Sequence, residues 1–285
     1  MSTVRARPAP SERGLNRQQR TIATVTLLLI LVVGIVLAAG MLTGSANTTA
    51  LTERSQPPSS EHLFGTDRYG RDLLARTLVG LRLSLVVGGV AAALSGVIAV
   101  VLSLIAVLGG RTGAAVVGWL VDLFLALPHL VLLILVAFAL GGGTTSVILA
   151  VGLTHWPRLT RVLTSVGRAA VGSEFVAVSR ALGHGPLRIA RTHVAGHLIP
   201  HLLVGTVLLF PHAILHEAAL SFLGLGIDPG QPAIGILLQE SMRYLSAGHW
   251  WLAVLPGLGL LLLVRIIDRI GENVRMLLDP RSAQL

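Results

Sequence analysis

Apolar runs alternate along the chain with short segments that carry arginines and turn residues. Crossing a bilayer takes about 20 mostly apolar residues, because a helix rises about 1.5 Å per residue and the hydrocarbon core is about 30 Å thick. Thr21 to Leu42 and Leu83 to Leu108 contain no charged residue, and Ala114 to Leu140 holds only Asp122 and His129. Thr145 to about Trp156 is the shortest run and continues amphipathically toward Leu163. Leu198 to Leu223 contains His201, His212, His216 and Glu217, and the run from Trp250 to about Val264 stops at Arg265. Lipid offers backbone groups no partners, so each run must satisfy them within itself. The pattern predicts an all-α integral membrane protein with six transmembrane helices.

Composition agrees with that solvent. Of 285 residues, 53% are hydrophobic and 12% are charged, against roughly 25% charged in soluble domains. All 22 basic residues are arginines, and with 13 acids they give a net charge of +9. The sequence pI of 11.6 would fit a nucleic-acid binder, but the arginines have a simpler explanation in their sidedness. Residues 1–20, the turn at Arg111, residues 157–191 and residues 265–285 carry 16 arginines and five acids, whereas residues 43–82 and 224–250 carry six of each. The positive-inside rule then puts both termini in the cytoplasm, with no role for nucleic acid. The expected layout is a cytoplasmic Arg-rich tail at 1–20, a first span at 21–42, an extracytoplasmic segment at 43–82, a five-helix core at 83–271 and a cytoplasmic tail at 272–285. The first span is longer than the apolar core of a secretory signal. The chain has no cysteine, which excludes disulfides and thiolate chemistry.

Two segments read as structured polar elements. Phe64-Gly-Thr-Asp-Arg-Tyr-Gly-Arg-Asp72, just before the second span, reads as a hydrogen-bonded turn that fixes where the helix enters the membrane. The stretch between the fourth and fifth spans is too long for a simple connection. Within it, Glu174 to Gly183 reads as a short amphipathic helix with Phe175, Val178, Ala181 and Leu182 on one ridge beside Arg180. Such a ridge fits a groove on a partner, or equally an anionic lipid surface.

These segments, together with Ala218-Ala-Leu-Ser-Phe-Leu-Gly-Leu-Gly226 and Asp279-Pro-Arg281, resemble the C-type permeases of the dipeptide, oligopeptide and nickel ATP-binding-cassette importers. The resemblance runs from about residue 20 to residue 281. It implies a cytoplasmic-membrane, multi-pass permease paired with a homologous B-type permease, two ATPase subunits and an extracytoplasmic substrate-binding protein. It further implies that the segment between the fourth and fifth spans is a coupling helix docking on the ATPase. By position the family's Glu-Ala-Ala falls on Ala177, Val178 and Ser179, and Arg180, Ala181, Leu182 and Gly183 match. The acid is missing, and Glu174, one turn earlier, is the candidate substitute. No phosphate-binding loop is present, since that motif needs a lysine and the chain has none. The chain is therefore expected to bind no cofactor and to have no enzymatic site, with ATP and magnesium used by the partner ATPases.

Within that family the chain resembles the nickel-transport permease most closely, at His155-Trp156, Glu174-Phe-Val, Ser179-Arg180, His193-Val-Ala-Gly196, Ile199-Pro200, and at His212 and His216 ahead of Ser221-Phe-Leu-Gly. Glu217 is instead peptide-like. The expected cargo is nickel, carried as a chelate, with dipeptides or oligopeptides as the alternative. His155, His212, His216, Glu217 and Asp122 are the candidate pathway residues. His212 and His216, four apart and so on one helical face, are the candidate metal ligands, since imidazole suits borderline divalent metals. The competing reading makes both neutral packing residues, and His129 a cap on the kink after Pro128. His193, His197 and His201 form a second four-residue series, read as solvated. An intramembrane metallopeptidase is disfavoured because His212-Ala-Ile-Leu-His216 lacks the glutamate of the zinc motif. A secondary transporter is disfavoured because no internal repeat is evident.

Overall fold

A computed structural model describes residues 17–278. Most of the Arg-rich tail and the closing Asp279-Pro-Arg281 lie outside the described residues. Within them no β-strand occurs, only an isolated bridge between Thr66 and Asp72. The helices are α1 (Arg17–Met41), α2 (Leu73–Leu108), α3 (Gly110–Ala126), α4 (His129–Ala139), α5 (Gly143–Thr154), α6 (Trp156–Val171), α7 (Glu174–Ala181), α8 (Pro186–Ile189), α9 (Ala195–Phe222), α10 (Ile234–Ser241) and α11 (Trp251–Leu278). A π-helical turn at Ala190–Val194 joins α8 to α9.

Four of these helical stretches are long and apolar enough to cross a membrane: Gln18–Met41, Leu73–Leu108, Pro186–Phe222 and Trp251–Leu278. A fifth results if α3 and α4, bent by 97° at their junction, count as one span. The expected six differ at the third and fourth, and proline is the cause at both. Pro128 forces Leu127 into an extended conformation (ψ 142°), as residues before proline prefer, and the third run breaks there. Pro157 lacks the N–H that would continue the ladder, so the fourth run splits into α5 and α6 with His155 at the junction. The Leu153 carbonyl freed by Pro157 accepts instead from the Trp156 indole at 2.9 Å.

The second helix begins at Leu73, not Leu83, and its 36 residues extend roughly 54 Å. It is the central post. Gly80, Ser84, Gly88, Ala91, Ala92, Ser95, Gly96, Ala99 and Ser103 are all buried, a small-residue surface of the kind that lets membrane helices approach closely. A Cβ at Gly88 would stand 2.7 Å from Ile214, and one at Gly96 2.5 Å from the Thr206 hydroxyl, so α9 lies directly against α2. Ser95 donates to the Gly152 carbonyl of α5 at 2.7 Å. By contrast α1 is exposed along most of its length, touching α2 and α11 through Leu28, Val32, Ile35 and Val36. The last helix runs on past Arg265 to Leu278 because Ile266, Ile267 and Ile270 stay buried while Arg269 and Glu272 face outward.

At one end of the bundle residues 43–72 fold into a cap. Asp67 accepts from the backbone N–H of Tyr69 (2.8 Å) and Arg71 (3.0 Å) and from Arg71 Nε (2.7 Å), and stands 3.5 Å from the buried Arg76 guanidinium. Asp72 caps α2, accepting from Ala75 N at 2.8 Å. Gly70 has φ +73°, and a side chain there would collide with the Ala50 carbonyl. Arg68 and Arg71 reach Glu240 of α10, while Leu73 packs with Trp251 and Leu252. The sequence motif is thus a turn that fixes the start of α2.

Candidate functional site

The proline breaks leave a gap in the bundle. Between the end of α3, the α5–α6 junction, one face of α9 and the end of α11 lies a cavity of about 940 Å³, near the upper end of small-molecule sites. Its walls are mostly apolar, with Leu127, Val162 and Leu208 among them. The polar groups are His129, Thr154, His155, His201, His212 and His216 together with Arg158 and Arg275, and among the described residues no acidic residue lines it. Arg158 and Arg275 are exposed.

Three of the histidines meet. His155 Nε2 lies 3.3 Å from His129 Nε2 and 3.3 Å from His216 Nδ1, with the rings edge to face at centroid distances of 4.5 to 5.0 Å. One ring nitrogen from each lies within 4.8 Å of the other two, a spacing that could hold a metal ion. His155 Nδ1 stands 2.9 Å from the Val151 carbonyl. That contact puts the proton on Nδ1, so Nε2 faces the other two rings as an acceptor.

The sequence-predicted pathway residues therefore separate. His155, His212 and His216 line the cavity, but His212 is not one of the three that meet. Its place is taken by His129, read from sequence only as the cap of a kink. Glu217 turns away from the cavity and is fully buried, its carboxylate accepting from Ser84 of α2 (2.6 Å) and Ser221 (3.0 Å). It follows His216 by about 100° around the helix, which carries it to the α2 side and outside the cavity lining. Asp122 also lies outside the cavity lining: it is exposed on α3 and pairs with Arg161 of α6 at 2.5 Å.

Far from the cavity's histidines in sequence, α7 leaves Glu174, Phe175, Ala177, Val178, Arg180, Ala181, Leu182 and Gly183 exposed and buries Val176 and Ser179. Ser179 Oγ is 3.0 Å from His184 Nδ1. Gly183 ends the helix with φ +81° and donates its N–H to the Arg180 carbonyl, the left-handed cap for which glycine is the usual residue.

Residues 96–275 match the family described as binding-protein-dependent transport system inner membrane component, and the chain belongs to that family. A Brucella suis protein named as a peptide transport system permease is 35% identical over 94% of this chain and 90% of its own length. The dipeptide transport system permease protein DppC of Bacillus subtilis is 30% identical over 94% of this chain and 84% of its own length. The di/tripeptide transport system permease protein DppC of Pseudomonas aeruginosa is 35% identical over 79% and 76%. The chain is thus a multi-pass inner-membrane permease of an ATP-binding-cassette importer, a class that implies ATPase and binding-protein partners. These relatives are named for peptides, and their names do not support the nickel-specific resemblance expected from the histidine motifs.

Proposed function

We propose that the importer carries short peptides and that this chain forms one half of their path. The observation that carries this reading is the cavity: apolar walls that tolerate varied side chains, no acid among its described lining residues, and two arginines to receive a terminal carboxylate. Arginine suits that group because its fork can hold a carboxylate in bidentate fashion. The relatives' names point the same way. A second reading, nickel moving as a chelate, is favoured by the five histidines that line the same cavity.

In the peptide reading a homologous B-type permease supplies the other half of the path, and the extracytoplasmic binding protein delivers cargo at the capped end. The arginine asymmetry supports placing both termini in the cytoplasm. The exposed ridge of Phe175, Val178 and Leu182 beside Arg180 is the coupling helix, taken up by one of two ATPase subunits that hold ATP and magnesium. ATP-driven closure of those subunits moves α7, and the permease opens inward. Glu174 and Arg180 set the charge of the docking surface.

The test is uptake of labelled dipeptide and of labelled nickel in cells with and without the gene, each measured with an excess of the other. Gene-dependent dipeptide uptake that falls on Arg158→Glu supports peptide import. Gene-dependent nickel uptake that excess dipeptide leaves intact replaces it with the metal reading.

A further inference from the structure

The three histidines that meet at the cavity wall come from helices far apart in sequence, and two of them sit at helix breaks. His129 opens α4 directly after the 97° bend, and His155 fills the junction between α5 and α6. His216 reaches them from α9. Irregular backbone at membrane depth is tolerated where it lines a cavity or is covered by protein, and here both irregular points deliver an imidazole to one spot.

Two of the three spacings have the dimensions of a coordination sphere, and the third lies within 4.8 Å. Two nitrogens bound to one tetrahedral ion at about 2.0–2.1 Å stand roughly 3.3 Å apart, and 3.3 Å separates His155 Nε2 from each of its two neighbours. His155 already has the ligand tautomer, because its Nδ1 is held by the Val151 carbonyl, the outer-shell contact that orients metal-bound histidines. His216 Nδ1 also lies 2.8 Å from the His212 carbonyl. It joins the set in the tautomer with the proton on Nε2, exchanging that one hydrogen bond for a coordinate bond.

We propose that His129, His155 and His216 form a binding site for a divalent metal of the borderline class, such as nickel, zinc or cobalt, with the fourth coordination position open to the cavity. Imidazole ligands suit these ions, and three protein ligands with a free position mark an exchangeable site, not a closed structural one. Among the described residues Arg158 and Arg275 line the cavity and no acid does, so an anionic donor, such as a carboxylate, completes the sphere and offsets the charge of the ion. His212 and His201 stay on the wall outside the triad. The site stands apart from the identity of the cargo, because it is read by binding and not by uptake.

The experiment is titration of the full-length chain in lipid nanodiscs with cobalt(II), followed by visible absorption and equilibrium dialysis, then displacement by nickel or zinc. The expected result is one ion per chain with the intense bands of a four-coordinate centre. His129→Ala should weaken binding by more than about tenfold, the scale on which even outer-shell losses act, whereas His201→Ala and His212→Ala leave affinity within about twofold, less than 0.5 kcal/mol. Should His129→Ala fail to yield folded chain, His216→Gln takes its place with the same expectation. Absence of saturable binding, a six-coordinate spectrum, or equal losses from His129→Ala and His201→Ala would each overturn the assignment.

Discussion

The two ends of this bundle treat charged groups in opposite ways. At the capped end they are turned on one another: Asp67 takes up two backbone N–H groups and two arginines, and His62 sits between Glu53 and Asp72. Toward the other end Arg161 pairs with Asp122 and Arg265 with Asp268 at the exposed surface, but Arg158 and Arg275 on the cavity and Arg180 beside an uncovered apolar ridge face outward. A carboxylate satisfied by four partners has nothing left to offer a ligand. Arginines without a carboxylate partner among the cavity-lining residues can receive one from elsewhere. One end holds the helices in register, and the other leaves exposed the groups that the proposed function assigns to partners and cargo.

The sharpest way to break the contrast is to remove the centre of the cap. Asp67→Ala strips Arg76, which is 1% exposed, of its nearest carboxylate, and breaking a buried pair in this way costs about 3–5 kcal/mol. The purified chain in detergent should lose thermal stability accordingly, while the mirror change at the open end, Arg158→Ala, should leave it nearly unchanged.

Glu217 tests whether the buried carboxylate between α2 and α9 belongs with the cap in kind. Truncation to Ala removes acceptors from Ser84 and Ser221 and should cost about 1–3 kcal/mol. Glu217→Gln keeps an acceptor and should retain most of the stability. Cargo uptake by the Gln variant should match the parent, since the side chain does not line the cavity.

At α7 the expected effect is functional more than energetic. Gly183→Val forces a branched side chain into the left-handed region, costing about 1–2 kcal/mol locally, in a place where a Cβ would meet no neighbour. The complex should assemble with near-normal melting behaviour and hydrolyse ATP without importing cargo. Coupled uptake at the parental rate would remove α7 from the coupling role.

The smallest effect is at His62. Its pKa lies above the ordinary 6.5 chiefly because of the hydrogen bond to Asp72, with Glu53 adding to it. The protonated ring therefore contributes stability that is fully present below about pH 6.5 and is lost as pH rises through the raised value. The melting-temperature gap between the parent and His62→Gln should narrow over that interval.

Much of this architecture was legible from hydropathy alone. The first, second, fifth and sixth runs each became one continuous helix, because a long charge-poor segment has few ways to satisfy its backbone in lipid. Boundaries were read short where polar residues began. Leu73–Arg82 and Arg265–Leu278 remain helical because one face stays covered by protein after the other has left the lipid. The cap motif was legible because the bonds of Asp67 and Asp72 to Tyr69, Arg71 and Ala75 are local, whereas its ties to Ala50 and Glu240 were not.

The histidine triad was only half legible. His212 and His216 share a helical face, and sequence spacing reports that directly. It says nothing of the 97° bend that brings His129 beside His155, because the bend angle is set by packing on other helices and not by Pro128 alone. The buried environment of Glu217 was not legible for the related reason that its partner Ser84 is 133 residues away.

The length of α2 has one more consequence. A continuous helix of roughly 54 Å that touches the cap at one end and α3 and α6 toward the other acts mechanically as a lever arm. A tilt of about 10° about its midpoint carries each end through nearly 5 Å, roughly one helical turn. Displacements applied to the arginine-rich end therefore reach the cap as motion of comparable size, without any bond along the post having to break.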